Sequence, residues 1–471
     1  MNEISTSNVV IGAGTAGLAA YRALVAAGEE AVLIERGVYG TTCARVGCMP
    51  SKLLIAAAEA VHGVARWETF GIRLEGRVRV DGRAVMDRIK RERDRFVGFV
   101  LDGVAAIPQA QRIVGQARFV DQYTLEVDGN TRIRFAKAVI ATGSSPVIPP
   151  LLQGLGDRVI VNDDVFDWDD LPRSVAVFGT GVIGLELGQA LHRLGVQVYL
   201  FGRGGAVGPL TDPALKDYAV QVFGKELVFD EGARLTGARR HNDGVILEWQ
   251  DGQGVSQRAE VDAVIAAAGR APNVTGLGLE HLGLAMQPNG VPVFDRYTLQ
   301  CGNSPVFIAG DANHDVPLLH EAADEGRIAG ENAASYPLVR QGLRRAPLGV
   351  VFSDPQIATV GSRWADLDKA SIVVGAVSFE DQGRSRVMLR HQGLLHVYAD
   401  RNSGKFLGAE MIGPDAEHLG HLMAWALQWN TTVEDMLKLP FYHPVVEEGL
   451  RTALRDASAQ RLRLGVLQSA A

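Results

Sequence analysis

A chain of 471 residues exceeds what one ordinary core holds, so two to four domains are expected. Hydrophobic residues make up 47% and charged residues 21%, as in soluble globular proteins, and a net charge of -7 with scattered Lys and Arg argues against nucleic acid as a main partner. No apolar run reaches membrane-spanning length, and three cysteines are too few for a secreted disulfide framework, which points to the reducing cytoplasm.

The chain opens on "NVVIGAG", a buried-strand pattern, and not on a basic leader. Gly12, Gly14 and Gly17 form a G-x-G-x-x-G turn into the alanine-rich helical run "AGLAAYRALVAAG". Gly28 stops that helix, and "AVLIER" reads as the next parallel strand, ending on Glu35. The glycines permit a tight turn and close approach of a pyrophosphate, which the helix N-terminus attracts. An acid about 20 positions on can hold ribose hydroxyls, and Glu35 stands there. Strand, helix and acid agree, so a dinucleotide site outweighs a merely tight turn.

Next comes "GTTCARVGCMPSK", which holds Cys43 and Cys48. Residues five apart on a regular helix are separated by roughly 7.5 Å of rise, whereas a disulfide tolerates Cα separations of about 4.4–6.8 Å. A bridged pair therefore requires a distorted segment, for which Gly47 and Pro50 provide the means. We expect a bridge, or thiols close enough for one, in a non-ideal turn leading into the helix "SKLLIAAAEAV". A helix start also lowers a thiol pKa, favouring the thiolate that does exchange. Metal binding is the competing reading, but structural zinc sites favour shorter spacings and a second ligand pair, and none is evident. The third cysteine, Cys301, precedes a buried strand pattern and reads as an inert core thiol.

A second cradle, Gly179, Gly181 and Gly184, lies in "SVAVFGTGVIGLELGQALHRLG". Its second strand, "VQVYLFGR", ends on Leu200, Phe201 and Gly202 with no acid for a 2′-hydroxyl, and Arg203 follows. Arg203 could meet a 2′-phosphate, leaning toward NADPH, or could simply be solvated. Two such units flanking a cysteine pair imply an electron relay between two cofactors and sulfur.

With these motifs the sequence resembles the class I flavin-dependent pyridine nucleotide-disulfide oxidoreductases, and among them is most similar to the dihydrolipoamide dehydrogenases. Further segments carry the resemblance: "AVIATGSSP", "AAAGRAPNV", "VFIAGDAN", "VVFSDPQIATVG" and "HPVVEEGL". It implies an α/β fold with two Rossmann-like domains, for FAD and NAD(P), plus a C-terminal α+β dimerisation domain. The expected boundaries are 1–149 and 273–345 for the FAD-binding parts, 150–272 for the NAD(P) domain and 346–471 for the interface domain. Thr142, Gly143, Gly269, Arg270, Gly310 and Asp311 are then expected at the cofactors, with Asp311 near the ribityl chain.

The resemblance also assigns roles. Cys48 faces the flavin and Cys43 the substrate, while Lys52 lies near the flavin ring with Glu186 as its ionic partner. His443 is the acid–base, oriented by Glu448. In that family the base reaches the cysteines of the partner subunit, implying a homodimer with a shared site. The implied activity is dithiol–disulfide oxidoreduction, most simply on dihydrolipoamide.

Two departures motivate an alternative. A second histidine usually stands two positions before the base, and here that position is Phe441; the nicotinamide-side acid is also missing. An NADPH-dependent reductase of another disulfide or of a metal ion would suit them. A non-catalytic redox sensor is disfavoured, because a pure binder needs none of Lys52, Glu186, His443 and Glu448. The tail from Arg451 has no cysteine, and the chain starts directly on the first strand, so neither a terminal redox pair nor a fused carrier domain is expected. His320, Glu321, Glu417, His418 and His421 are expected to be ordinary surface or satisfied core positions.

Overall fold

The structure, a computed structural model, describes residues 2–469, so Met1, Ala470 and Ala471 of the expected outer domains lie outside the described residues. The chain forms two compact units: Met1–Pro50, Arg88–Val147 and Arg270–Arg344 in one, Ser51–Asp87, Ile148–Gly269 and Arg345–Ala471 in the other. Residues 51–87, expected within 1–149, thus group with the second unit, where Lys52 pairs with Glu186 and His62 lies beside Asp354.

The first unit is built on a parallel sheet ordered Arg112–Val114, Ala31–Glu35, Asn2–Ile11, Thr131–Ile140, Val306–Ile308. Antiparallel strands Ala117–Asp121 and Thr124–Val127 extend it beside the first half of Thr131–Ile140. Strand alternation explains why the run Val9–Ile11 is apolar throughout. Val9 and Ile11 enter a cluster with Phe119 and Phe135, while Val10 enters the opposite one with Ala20, Leu24 and Phe307. Both faces are covered, as parallel sheets require. On one face the helices Thr15–Ala26 and Leu319–Ser335 pack closely. A Cβ on Gly326 or Gly330 would strike the Ala16 or Ala20 carbonyl.

The second unit repeats the plan with Val228–Asp230, Gln197–Phe201, Ser174–Phe178, Ala263–Ala266 and Val159–Val161, all parallel. A three-stranded antiparallel meander, Arg234–His241, Gly244–Gln250 and Ser256–Val261, precedes its return strand. Its C-terminal part is an antiparallel sheet ordered Leu348–Val351, Gln356–Gly361, Phe406–Gly413, Leu394–Asp400, Ile372–Ser378. The helices Ala416–Gln428 and Glu448–Ser469 contribute Leu419, Met423, Leu450 and Leu454 to the core of this part.

Candidate active site

The two glycine turns are built alike. Gly12 and Gly179 have φ of +105° and +124°, and a Cβ on either would strike the carbonyl of Ala141 or Ala267. A Cβ on Gly17 would strike the Gly12 carbonyl, and one on Gly184 the Gly179 carbonyl. Gly14 and Gly181 differ from these: each is the extended N-cap of its helix, each would point a Cβ into open space, and no side chain caps either helix. Both turns therefore leave a helix N-terminus open to a phosphate, which fits a dinucleotide. The Glu35 carboxylate accepts the Ala13 N–H at 2.7 Å and the Gly37 N–H at 2.8 Å, fixing it at the first turn with lone pairs to spare for hydroxyls. Arg203 is exposed within the glycine-rich loop after Phe201.

Cys43 lies in the short helix Thr42–Val46, half-buried, and exposed Cys48 starts the helix Cys48–Val64. Between them Gly47 breaks the helix at φ −127°, ψ −116°, which is the irregular turn expected from the spacing. There is little room at the break: a Cβ on Gly47 would sit 3.2 Å from the Cα of Cys43. Cys301, by contrast, is fully buried, and burial pushes its thiol up to about 12. Iodoacetamide applied to the reduced native protein is therefore expected to alkylate Cys43 and Cys48 and to spare Cys301 until denaturant is added. Peptide mass spectrometry checks this, and a Cys301 adduct on the native protein would contradict it.

In the second unit the Lys52 ammonium donates to Glu186 Oε2 at 2.7 Å, with Lys52 one-third exposed and Glu186 buried. Near the C-terminus His443 Nδ1 lies 3.0 Å from Glu448 Oε2 and 3.1 Å from Oε1, and the Val445 N–H donates to the same carboxylate at 3.3 Å. The contact from His443 holds the Glu448 carboxyl below the usual carboxylate range. The contact uses Nδ1 of the exposed imidazole and not Nε2. Phe441 packs against the C-terminal core with the Arg451 guanidinium 5.9 Å from its ring centroid.

Asp311 stands in the turn Gly310–Asn313 directly after Val306–Ile308. It accepts from Ser144 Oγ at 2.6 Å, and Arg270 donates to Ser144 Oγ at 2.8 Å and to its carbonyl at 2.7 Å. Thr142 Oγ1 donates to the Asn273 carbonyl at 2.7 Å, and Gly143 accepts from the Asn273 N–H at 2.9 Å. The segments 144–146 and 270–272, which begin just past Gly143 and Gly269, pair as an antiparallel ribbon.

Reading the motifs missed what holds Asp311 in place. Fully buried Glu325 accepts from the Gly310 N–H and from Asn313 Nδ2, each at 2.7 Å. Burial raises its pKa, against the Arg344 charge paired to its other oxygen at 2.7 Å. No motif contains this acid; its only sequence signal is a charge at a core-facing position of a helix. Arg344 also pairs with buried Glu321 at 2.8 Å, which makes Glu321 a satisfied core residue. His320, His418 and His421 are exposed, and Glu417 accepts from Gln356 Nε2 at 3.1 Å. Among the described residues no His, Cys, Asp and Glu group is arranged to hold a metal, and no helix is long and apolar enough to cross a membrane.

Comparison with known proteins agrees with this layout. Residues 6–326 match the pyridine nucleotide-disulphide oxidoreductase family, and residues 348–454 match its dimerisation domain, which supports a homodimer. The chain is 30% identical to dihydrolipoyl dehydrogenase of Haloferax volcanii over 480 residues, covering 97% of each. It is 31% identical to that of Thermus scotoductus, covering 97% of this chain and 98% of the relative. In fold it is similar to LpdA of Mycobacterium tuberculosis, with a TM-score of 0.82 at 24% identity over 95% of this chain and 99% of that one. A Cu(II) complex of the HOCl-induced flavoprotein disulfide reductase RclA of Escherichia coli gives a TM-score of 0.81 at 22% identity, over 98% and 100% of the two chains.

Proposed function

We propose that this chain, which belongs to the pyridine nucleotide-disulphide oxidoreductase family, oxidises a small dithiol of the dihydrolipoamide type and delivers the electrons to NAD(P)⁺. Membership establishes the coarser activity: it is an FAD-dependent disulfide oxidoreductase that uses NAD(H) or NADP(H). The observation that carries the finer reading is the cysteine pair on either side of the Gly47 break, on a chain with two dinucleotide turns.

As the resemblance to the family implies, Cys43, in the short helix before the break, takes up the substrate sulfur by thiol–disulfide exchange, and Cys48, at the start of the next helix, faces the cofactor. The substrate dithiol loses two electrons and two protons and becomes a disulfide, while the Cys43–Cys48 disulfide takes the electron pair and becomes a thiol at Cys43 and a thiolate at Cys48, so that only one of the two protons stays on sulfur. His443 Nε2 accepts one of those protons, and Glu448 holds the ring from Nδ1. Bound FAD would supply the two-electron carrier between this sulfur pair and the nicotinamide. Gly12, Gly14, Gly17 and Glu35 would hold FAD at its pyrophosphate and ribose, with Asp311 as a further residue that would hold it. Gly179, Gly181, Gly184 and Arg203 would hold the nicotinamide nucleotide.

A homodimer completes the site if His443 serves the partner's cysteines. The C-terminal surface supports such an assembly: Leu422, Trp425, Trp429 and Tyr442 are exposed, an apolar area that a second copy would cover. The low cysteine count supports a reading in which the enzyme works in the reducing cytoplasm.

A second reading, reduction of another disulfide or of a metal ion with NADPH, draws on the packed Phe441 and on exposed Arg203 in place of an acid. Anaerobic flavin reduction with NADH and with NADPH, followed by turnover with lipoamide, glutathione disulfide and Cu(II), separates the two. Lipoamide turnover in either direction is the expected result. Inactivity with lipoamide in both directions, alongside turnover of another oxidant, would overturn the first reading in favour of the second.

A further inference from the structure

The Lys52–Glu186 pair has a third member. Glu186 divides its two oxygens: Oε2 accepts from the Lys52 ammonium at 2.7 Å, and Oε1 accepts from the backbone N–H of Phe352 at 3.0 Å. The same Phe352 presents its ring to the Lys52 ammonium, 4.5 Å from the centroid. The lysine is thus held twice by one residue, directly by the ring and indirectly through the carboxylate.

The segment carrying Phe352 is itself anchored along one face of the helix Val182–Arg193. Beyond Glu186, Gln189 exchanges two hydrogen bonds with Asp354, each 2.8 Å, through its own amide and the backbone N–H and carbonyl of Asp354. Arg193 pairs with the Asp354 carboxylate at 3.0 Å and with Glu226 at 2.6 Å. Burial would raise the Asp354 carboxyl, but the Arg193 and Arg390 charges hold it below the usual range. Positions 186, 189 and 193 follow the helical repeat, so the 352–354 segment lies along the helix and cannot shift without breaking several contacts at once.

An aliphatic side chain could fill the ring's space, but on that side the ammonium, which meets Glu186 on another, would face carbon with no attractive field. An aromatic face compensates through its quadrupole without removing the charge. We propose that Phe352 is a positioning residue whose ring and backbone together set how the Lys52 charge is presented to the flavin. This rests on the reading of Lys52 as the flavin-facing cation.

Anaerobic redox titration of the flavin, with no dithiol substrate present, tests it. Phe352→Leu keeps the backbone donor and removes the ring. It is expected to disfavour flavin reduction roughly threefold, about 14 mV for a two-electron couple. Phe352→Tyr is expected to titrate as the wild type. Lys52→Met is expected to disfavour reduction about tenfold or more, ~30 mV, and Phe352→Leu added to it should change nothing further. If Phe352→Leu fails to retain flavin, Phe352→Met, closer in volume, carries the same expectations. A ring deletion with the wild-type potential, or one whose shift persists in the Lys52→Met background, overturns the role of Phe352. A Lys52→Met protein with the wild-type potential overturns instead the reading of Lys52 on which it rests.

Discussion

Replacing Cys48 by serine is expected to lower dithiol-dependent NAD(P)⁺ reduction by roughly 10⁴-fold, because no other thiol among the described residues can complete the exchange. Cys301 is fully buried and held as a thiol, so it cannot substitute. Cys43→Ser is expected to lose turnover to a similar extent, yet the two variants should differ in the visible spectrum of the bound flavin. In the proposed relay a Cys48 thiolate beside the ring would perturb that spectrum, whereas Cys43 would be turned to substrate. Steady-state turnover and absorbance across the neutral range check both points. Undiminished turnover in Cys48→Ser would defeat the thiol relay, and identical spectra would defeat the division of labour between the two sulfurs.

His443→Gln is the second large effect, with an expected loss of roughly 10²–10⁴-fold, the range for removal of a general acid–base. Glu448→Gln keeps the side chain's size and is expected to cost less, about tenfold, since it removes orientation rather than the proton acceptor. The pH dependence distinguishes the two groups. Glu448 has its folded pKa depressed by His443. Its contribution is therefore present above the unfolded carboxylate value of about 4.3 and is lost only as pH falls through the lower folded value. Between roughly pH 5 and 8 it stays ionised, so a limb of the rate profile in that window cannot be Glu448 titrating. Such a limb should vanish in His443→Gln and persist in Glu448→Gln; the reverse outcome would remove His443 from the proton path.

The packing of Phe441 bears on substrate choice. A second histidine at that position would add a titratable group beside the base, whereas an apolar ring held against the C-terminal core under Arg451 adds none. Under the proposed function, discrimination between dithiols would then come from the shape of the site rather than from a second proton site.

The parts of the fold legible in the sequence were those governed by local backbone constraints. A glycine forced to positive φ, or one whose Cβ would strike a carbonyl a few residues away, leaves its mark at short spacing, so both dinucleotide turns could be read directly. The break at Gly47 was legible for the same reason, since two cysteines five apart cannot be bridged across regular helix. His443 and Glu448 are likewise near neighbours in the chain, and only a short turn separates them.

Pairing between distant segments was a different matter. Lys52 and Glu186 were matched only through resemblance to a family, because nothing in the residues between them encodes that contact. Glu325, Arg344, Ser144 and Phe352 belonged to no motif that pointed to their roles. An acid is recognisable in a sequence, but whether it is solvated or holds an active-site turn depends on what packs around it. By itself the sequence determined two dinucleotide turns and an irregular turn between the two cysteines, since steric limits act over a few residues. Only the tertiary structure decided which charges are buried together and that an aromatic ring stands against the Lys52 ammonium. Burial, and with it the strength of every charge, is a property of packed segments that are far apart in the chain.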